Sequence, residues 1–211
     1  MINAMQALEK FIKEFEKIPI ISTHYNWFIP PSMKISILKN IFKNYENEIE
    51  INEICMKYYK ENINVLIDEI FKKYPQRKNI IYEGYQAHLN KIFYSSIIIF
   101  LTQIDGISNE LMSKNFFQKR EWQKLNLNDD IKSKVAYFFL KSYFDDYNNE
   151  APIKHSLGKR KNWKTSYINR HQVLHGEILD FNTEENSLKV FSLLVSLAEN
   201  LEWIKNNCID L

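Results

Sequence analysis

Apolar residues recur at three- and four-residue spacing along most of this chain, and that period predicts helices almost throughout. Ala4, Leu8, Phe11, Ile12 and Phe15 mark one amphipathic helix over 3–17, which Pro19 should stop. Residues 19–31 hold Tyr25, Trp27, Phe28, Pro30 and Pro31. They read as an irregular aromatic connection packed on the core or on a second copy, rather than as a base-stacking surface; the short run Ile18 to Ile21 is compatible with extended chain. Ser32 is a candidate N-cap for a helix through Ile35, Leu38, Ile41 and Phe42. A further helix covers 49–73, with Ile54, Tyr58, Val65, Ile70 and Phe71 among its apolar positions.

After Pro75 the pattern is heavily apolar. Ile81, Tyr85, His88, Leu89, Ile92 and Ile99 predict one central core helix from Arg77 to Gly106, ended by Asp105-Gly106. On such a helix His88 reads as a satisfied core histidine. Ile131 to Phe144 predicts another helix, and a short one should carry 164–175. Thr183 caps the last, with Glu184 and Glu185 in its first turn and Leu188, Phe191, Leu194, Val195, Ala198 and Leu201 along it. The expectation is an all-α helical bundle: residues 1–75 form an N-terminal helical region packed on the core, and 76–211 the main helical domain.

Composition supports helices over sheets. The 211 residues include 4 Gly and 5 Pro, too few for the turns of a many-stranded fold. The N-terminus is charged and amphipathic rather than a signal peptide, and the apolar run Ile92 to Leu101 is far shorter than the roughly 20 residues of a membrane span. Cys55 and Cys208 form no Cys-x-x-Cys pair, so no cysteine zinc site is expected; two reduced thiols point to a cytoplasmic protein. Asp129-Asp130 and Asp145-Asp146 read as caps or turns rather than metal ligands. No metal or cofactor is expected.

The net charge of +2 neither demands nor excludes nucleic acid, but its distribution is uneven. Residues 154–164 carry five Lys or Arg and no acid, with Lys159, Arg160, Lys161 and Lys164 candidates for RNA phosphates. Lys72, Lys73, Arg77 and Lys78 form a second basic cluster.

The basic loop leads into Asn169-Arg170-His171-Gln172-Val173-Leu174-His175-Gly176. RNA cleavage by its own 2′-hydroxyl needs a base, an acid and a cation for the charge gathering on phosphorus. Histidine titrates near neutrality and suits the first two; the arginine fork suits the third. On a continuous helix Arg170 and His175 would point about 140° apart, so the arginine must curl or a second subunit must contribute.

Arg170-His171-x-x-x-His175 resembles the Arg-[Asn/Asp/His]-x-x-x-His signature of the HEPN superfamily, helical domains of prokaryotic toxins and antiviral systems. The surrounding Asn-Arg-His-x-x-Leu-His-Gly, the following Thr-Glu-Glu-Asn-Ser-Leu-Lys and the upstream Gln103-Ile104-Asp105-Gly106 fit the same pattern; the first 75 residues do not share it. The resemblance implies a metal-independent endoribonuclease leaving 2′,3′-cyclic phosphate and 5′-hydroxyl ends. Arg170 and His175 would be catalytic and His171 would orient them. It also implies a homodimer with two motifs in one cleft, a toxin-like role in phage defence, and an antitoxin or other defence partner. The alternative is a non-catalytic helical module that binds RNA or protein.

Overall fold

Why a bundle forms is clearest at its longest amphipathic member, α4 (Glu48–Lys73), which starts where Asn47 Oδ1 accepts Glu50 N–H at 3.3 Å. It buries Ile51, Cys55, Tyr58, Tyr59, Ile63, Leu66, Ile67 and Ile70, while Val65, expected on that face, is exposed. The structure, a computed structural model, describes residues 4–112, 138–139 and 168–207. The described residues are all-α, with no strand among them. Before α4 come α1 (Ala4–Glu14), α2 (Lys17–Tyr25) and α3 (Ile35–Lys43). A 3₁₀ turn at Pro75–Arg77 leads to α5 (Lys78–Leu89) and α6 (Phe93–Met112), and α7 (Arg170–Leu174) and α8 (Glu184–Asn207) complete the described helices.

Pro19 does not stop a helix. The break falls at Phe15 and Glu16, and Pro19 sits in the first turn of α2, where its missing N–H has no intrahelical partner to lose. The run Ile18 to Ile21 is therefore helical. α2 ends at Asn26, in the left-handed region at φ 59°. The irregular chain after it is buried, and side chains satisfy its backbone: Phe28 N donates to Ser192 Oγ at 3.1 Å, Tyr59 Oη donates to Phe28 O, and Ser196 Oγ donates to Ile29 O at 2.8 Å. Trp27 and Phe28 are fully buried, and Trp27 stacks on Tyr59 at 5.7 Å, so these rings are core. Ser32 does not cap α3. Its N and Oγ donate instead to the Glu199 carboxylate at 3.0 and 2.7 Å, tying this stretch to α8.

The stretch expected as one central helix is two. It breaks at Asn90-Lys91-Ile92, where Lys91 has φ 61°, and α6 continues through Gly106 to Met112. α5 and α6 then pack so closely at Gly84 that a Cβ there would lie 2.8 Å from Ile99 Cγ2. The central element is α8, packed on α6 and α4. Every residue from Asn186 to Ala198 is buried, whereas α6 leaves Tyr94, Ile98 and Thr102 exposed. Thr183 does cap α8, accepting Asn186 N–H at 3.1 Å. The core cluster takes in Trp27, Phe28, Tyr59, Phe100, Phe191 and Leu194, from both sides of residue 76. Lys189 lies within it, its side chain 1% exposed, on Glu185 at 2.5 Å and over the Trp27 ring at 5.6 Å.

Of the helix expected over 131–144, Phe138 and Phe139 are described; both are helical, and Phe139 packs edge-on to Phe15. The rest of that stretch lies outside the described residues. No described helix is long and apolar enough to cross a membrane.

Candidate functional site

Asn169 sets where the motif begins. Its Oδ1 accepts Gln172 N–H at 3.1 Å and its carbonyl accepts Val173 N–H at 3.0 Å, so helix starts at Arg170. Residues 168–169 are not helical, which shortens the expected 164–175 helix at its described end. Gly176 sets where it stops. At φ 68° its N–H reaches Val173 O at 3.2 Å, and Glu177 N–H reaches Gln172 O at 2.8 Å, turning the chain back. α7 is thus a single bracketed turn. Buried Ile168 and Val173 anchor it to the core.

Arg170 and His175 stand at the two ends of this turn. Arg170 Nη2 donates to Asp105 Oδ2 of α6 at 3.0 Å, with the two side chains 22% and 26% exposed. His175 lies one residue past α7, in the turn, and is exposed. The 140° separation of a continuous helix does not apply, because the helix ends at Leu174. His171 lies within α7. Lys159, Arg160, Lys161 and Lys164 lie outside the described residues.

Asp105 is the residue that the motif does not announce. The sequence pattern puts it at a helix end with Gly106; instead it sits inside α6, 65 positions before its arginine. The available signal is a carboxylate in an otherwise uncharged stretch, Ile97 to Ile107. Chain 177–181 then runs back along α6, where Tyr94 Oη donates to Leu179 O at 2.7 Å and the Tyr94 ring meets Phe181 edge-on.

The second basic cluster is engaged with its own surroundings. Lys72 pairs with Glu69 at 2.6 Å, Lys78 lies over the Phe71 ring, and Arg77 pairs with Glu110 at 2.7 Å. His88 is a satisfied core histidine: Nδ1 is 2.8 Å from Ser187 Oγ, itself 2.7 Å from Ser96 Oγ. Burial holds its pKa below the ordinary 6.5, with Glu184 acting against that shift and Lys60 adding to it. Among the described residues no group of three or more His, Cys, Asp or Glu is placed to hold a metal ion.

The fold and site define an all-helical bundle presenting an Arg-His pair on a bracketed turn. The chain is similar to the CRISPR-associated endoribonuclease Cas13a of Leptotrichia wadei (strain F0279), with 28% identity over 201 residues. That match covers 78% of this chain and spans 16% of the relative's length. No family model matches the chain, and no solved structure matches it.

Proposed function

We propose that the chain is an HEPN-type endoribonuclease that works without a metal, with Arg170 and His175 as its catalytic residues. The observation that carries this reading is the bracketed turn, which holds Arg170 on Asp105 at one end and leaves His175 exposed at the other. Neither side chain is buried in the core: Arg170 is 22% exposed and His175 is exposed. The similarity to an endoribonuclease supports a ribonuclease role, and the association of that relative with CRISPR supports one in antiviral defence. In the reaction the 2′-oxygen bonds to phosphorus as its proton passes to a base. The bond from phosphorus to the 5′-oxygen breaks, and that oxygen takes a proton from an acid. His175 supplies proton transfer, Arg170 offsets the charge on the phosphoryl oxygens, and His171 orients Arg170 and His175. Lys159, Arg160, Lys161 and Lys164 draw the RNA backbone toward the turn. Two copies share a cleft, and the protein acts as a toxin-like effector restrained by an antitoxin or other defence partner.

The test is incubation of purified protein with tRNA and total RNA in EDTA. Cutting to 2′,3′-cyclic phosphate and 5′-hydroxyl ends is expected, and Arg170→Ala and His175→Ala should abolish it. Variants that cut as well as wild type, or cutting lost in EDTA, would refute the mechanism. A strictly monomeric active protein would remove the shared cleft.

The Arg170–Asp105 ion pair itself favours a second reading, in which the arginine pins α7 to α6 in a non-catalytic binding module. RNA or protein binding that survives both alanine substitutions, with no cleavage by any form, would establish that reading.

A further inference from the structure

We infer that Asp105 is a positioning residue for Arg170, and that Arg77 braces the turn of α6 that carries it; the inference rests on the nuclease reading above. Arg77 enters from the 3₁₀ turn after α4. Its Nη1 donates to Gln103 Oε1 at 2.8 Å and its Nη2 to Glu110 Oε1 at 2.7 Å, while Gln76 Nε2 donates to Glu110 Oε2 at 3.0 Å. Between these contacts the guanidinium lies against bare backbone: a Cβ on Gly106 would stand 2.2 Å from Nη1 and 2.6 Å from Cζ. Gln103, Gly106 and Glu110 follow one another at three- and four-residue spacing, on one face of α6. Asp105 lies one residue, about 100°, around the helix from Gly106 and faces α7. The core face of the same turn is closed by Ile104 and Ile107, both fully buried. The turn is therefore held on its core face by packing and on another by Arg77, with little freedom to rotate or slide.

A carboxylate fixed in this way can aim an arginine. The guanidinium is a planar fork with its N–H groups in fixed directions, so holding one edge sets the direction of the whole plane. Asn169 fixes the backbone from which Arg170 extends, and Asp105 fixes the far end of its side chain. The pair is partly buried, which reduces screening by salt, and 22% of the Arg170 side chain stays exposed.

Positioning and simple electrostatics make opposite forecasts for Asp105→Asn. If the carboxylate only lowered the local positive charge, its removal would tighten RNA binding and raise or preserve kcat. If it aims Arg170, KM stays level or falls while kcat drops by about 10- to 100-fold, the scale expected for a misplaced catalytic group. Asp105→Glu, which keeps the charge one methylene further out, should recover part of that loss, and Asp105→Ala none. Thermal melts check folding; should Asp105→Asn not fold, the kcat of Asp105→Glu decides, intermediate values supporting the inference and wild-type values overturning it. An unchanged or raised kcat in folded Asp105→Asn overturns it as well. A wild-type protein that cuts no RNA sinks the nuclease reading instead. The ¹⁵N spectrum of the Arg170 guanidinium then decides the aiming role alone: a sharp, slowly exchanging Nη–H signal lost in Asp105→Asn supports it, and an identical signal in both proteins refutes it.

Discussion

Replacing Gly106 with alanine should change sign with the residue at position 77. In the wild-type chain Gly106 lies inside α6, so alanine gains helix propensity of about 1 kcal/mol. Its Cβ would collide with the Arg77 guanidinium at 2.2 Å, and the collision is relieved when that flexible end swings away. The cost is then what Arg77 was holding. Its bond to Gln103, a buried amide, is charge-assisted and contributes about 1.5–2 kcal/mol. Its pair with Glu110, whose side chain is 41% exposed, is screened and adds about 0.5 kcal/mol. The net is a loss of about 1–1.5 kcal/mol, or about 2–6 °C in Tm for a chain of this size. In an Arg77→Ala background nothing remains to be displaced, and the same Gly106→Ala change should raise Tm by about 2–4 °C. Four proteins and thermal melts followed by circular dichroism close the cycle. Stabilisation by Gly106→Ala in the wild-type chain would refute the packing of Arg77 on the helix. Destabilisation persisting without Arg77 would restore the reading of Gly106 as a helix end.

Further outcomes follow from single sites. Gly176 stands at φ 68°, and a Cβ there would meet nothing within 4 Å, so Gly176→Ala should cost about 1–2 kcal/mol through backbone strain alone, and Gly176→Asn clearly less; equal melting points for the two variants would contradict this. His88 is held below its ordinary pKa of 6.5 by burial, so its contribution is fully present above pH 6.5 and is lost as pH falls from there through the folded value. Glu199 acts oppositely: burial raises its pKa above 4.5, so its contribution weakens as pH rises from 4.5 through the raised value. The melting curve of His88→Gln should therefore lose less stability than wild type on acidification below 6.5, and superimposable pH dependences would remove His88 from the account.

Much of the helical layout is legible in the sequence because it rests on local pattern. α4 and α8 lie where their spacing puts them, and Thr183 caps the latter as its hydroxyl and the acids after it suggest. The errors arise where a distant partner overrides a local rule. Ser32 has the chemistry of a cap, but the Glu199 carboxylate, 167 residues on, takes both of its donors. Gly106 has the look of a helix end, but it is the flat seat for Arg77. The break at Lys91 carries no glycine to announce it. α8 carries Ser187, Lys189, Ser192 and Ser196 among its apolar residues; all four are buried, and Ser192 and Ser196 serve the backbone of the Phe28-Ile29 stretch. In the candidate site, Arg170, His175, Asn169 and Gly176 are visible as a string, while Asp105 stands in the upstream Gln103-Ile104-Asp105-Gly106 match with nothing to name Arg170 as its partner, and only the folded chain brings the two together.

The same distinction bears on what the first 75 residues do for the site. The resemblance carried by the motif does not extend to them, yet the platform under Arg170 depends on them. Asp105 is aimed by α6, and α6 packs on α8. α8 in turn is packed against α4, and its polar positions are occupied by the chain after α2: Ser192 by Phe28, Ser196 by Ile29, Glu199 by Ser32. Without that chain, α8 would lose the cover over this face and the bonds that Ser192, Ser196 and Glu199 make to it. Arg77, which seats on Gly106, is itself placed by the 3₁₀ turn that ends α4. The turn carrying Arg170 and His175 is short, five helical residues between Asn169 and the reversal at Gly176, and cannot orient itself against the rest of the molecule. Its orientation is borrowed from α6, and α6 draws its own from elements on both sides of residue 76.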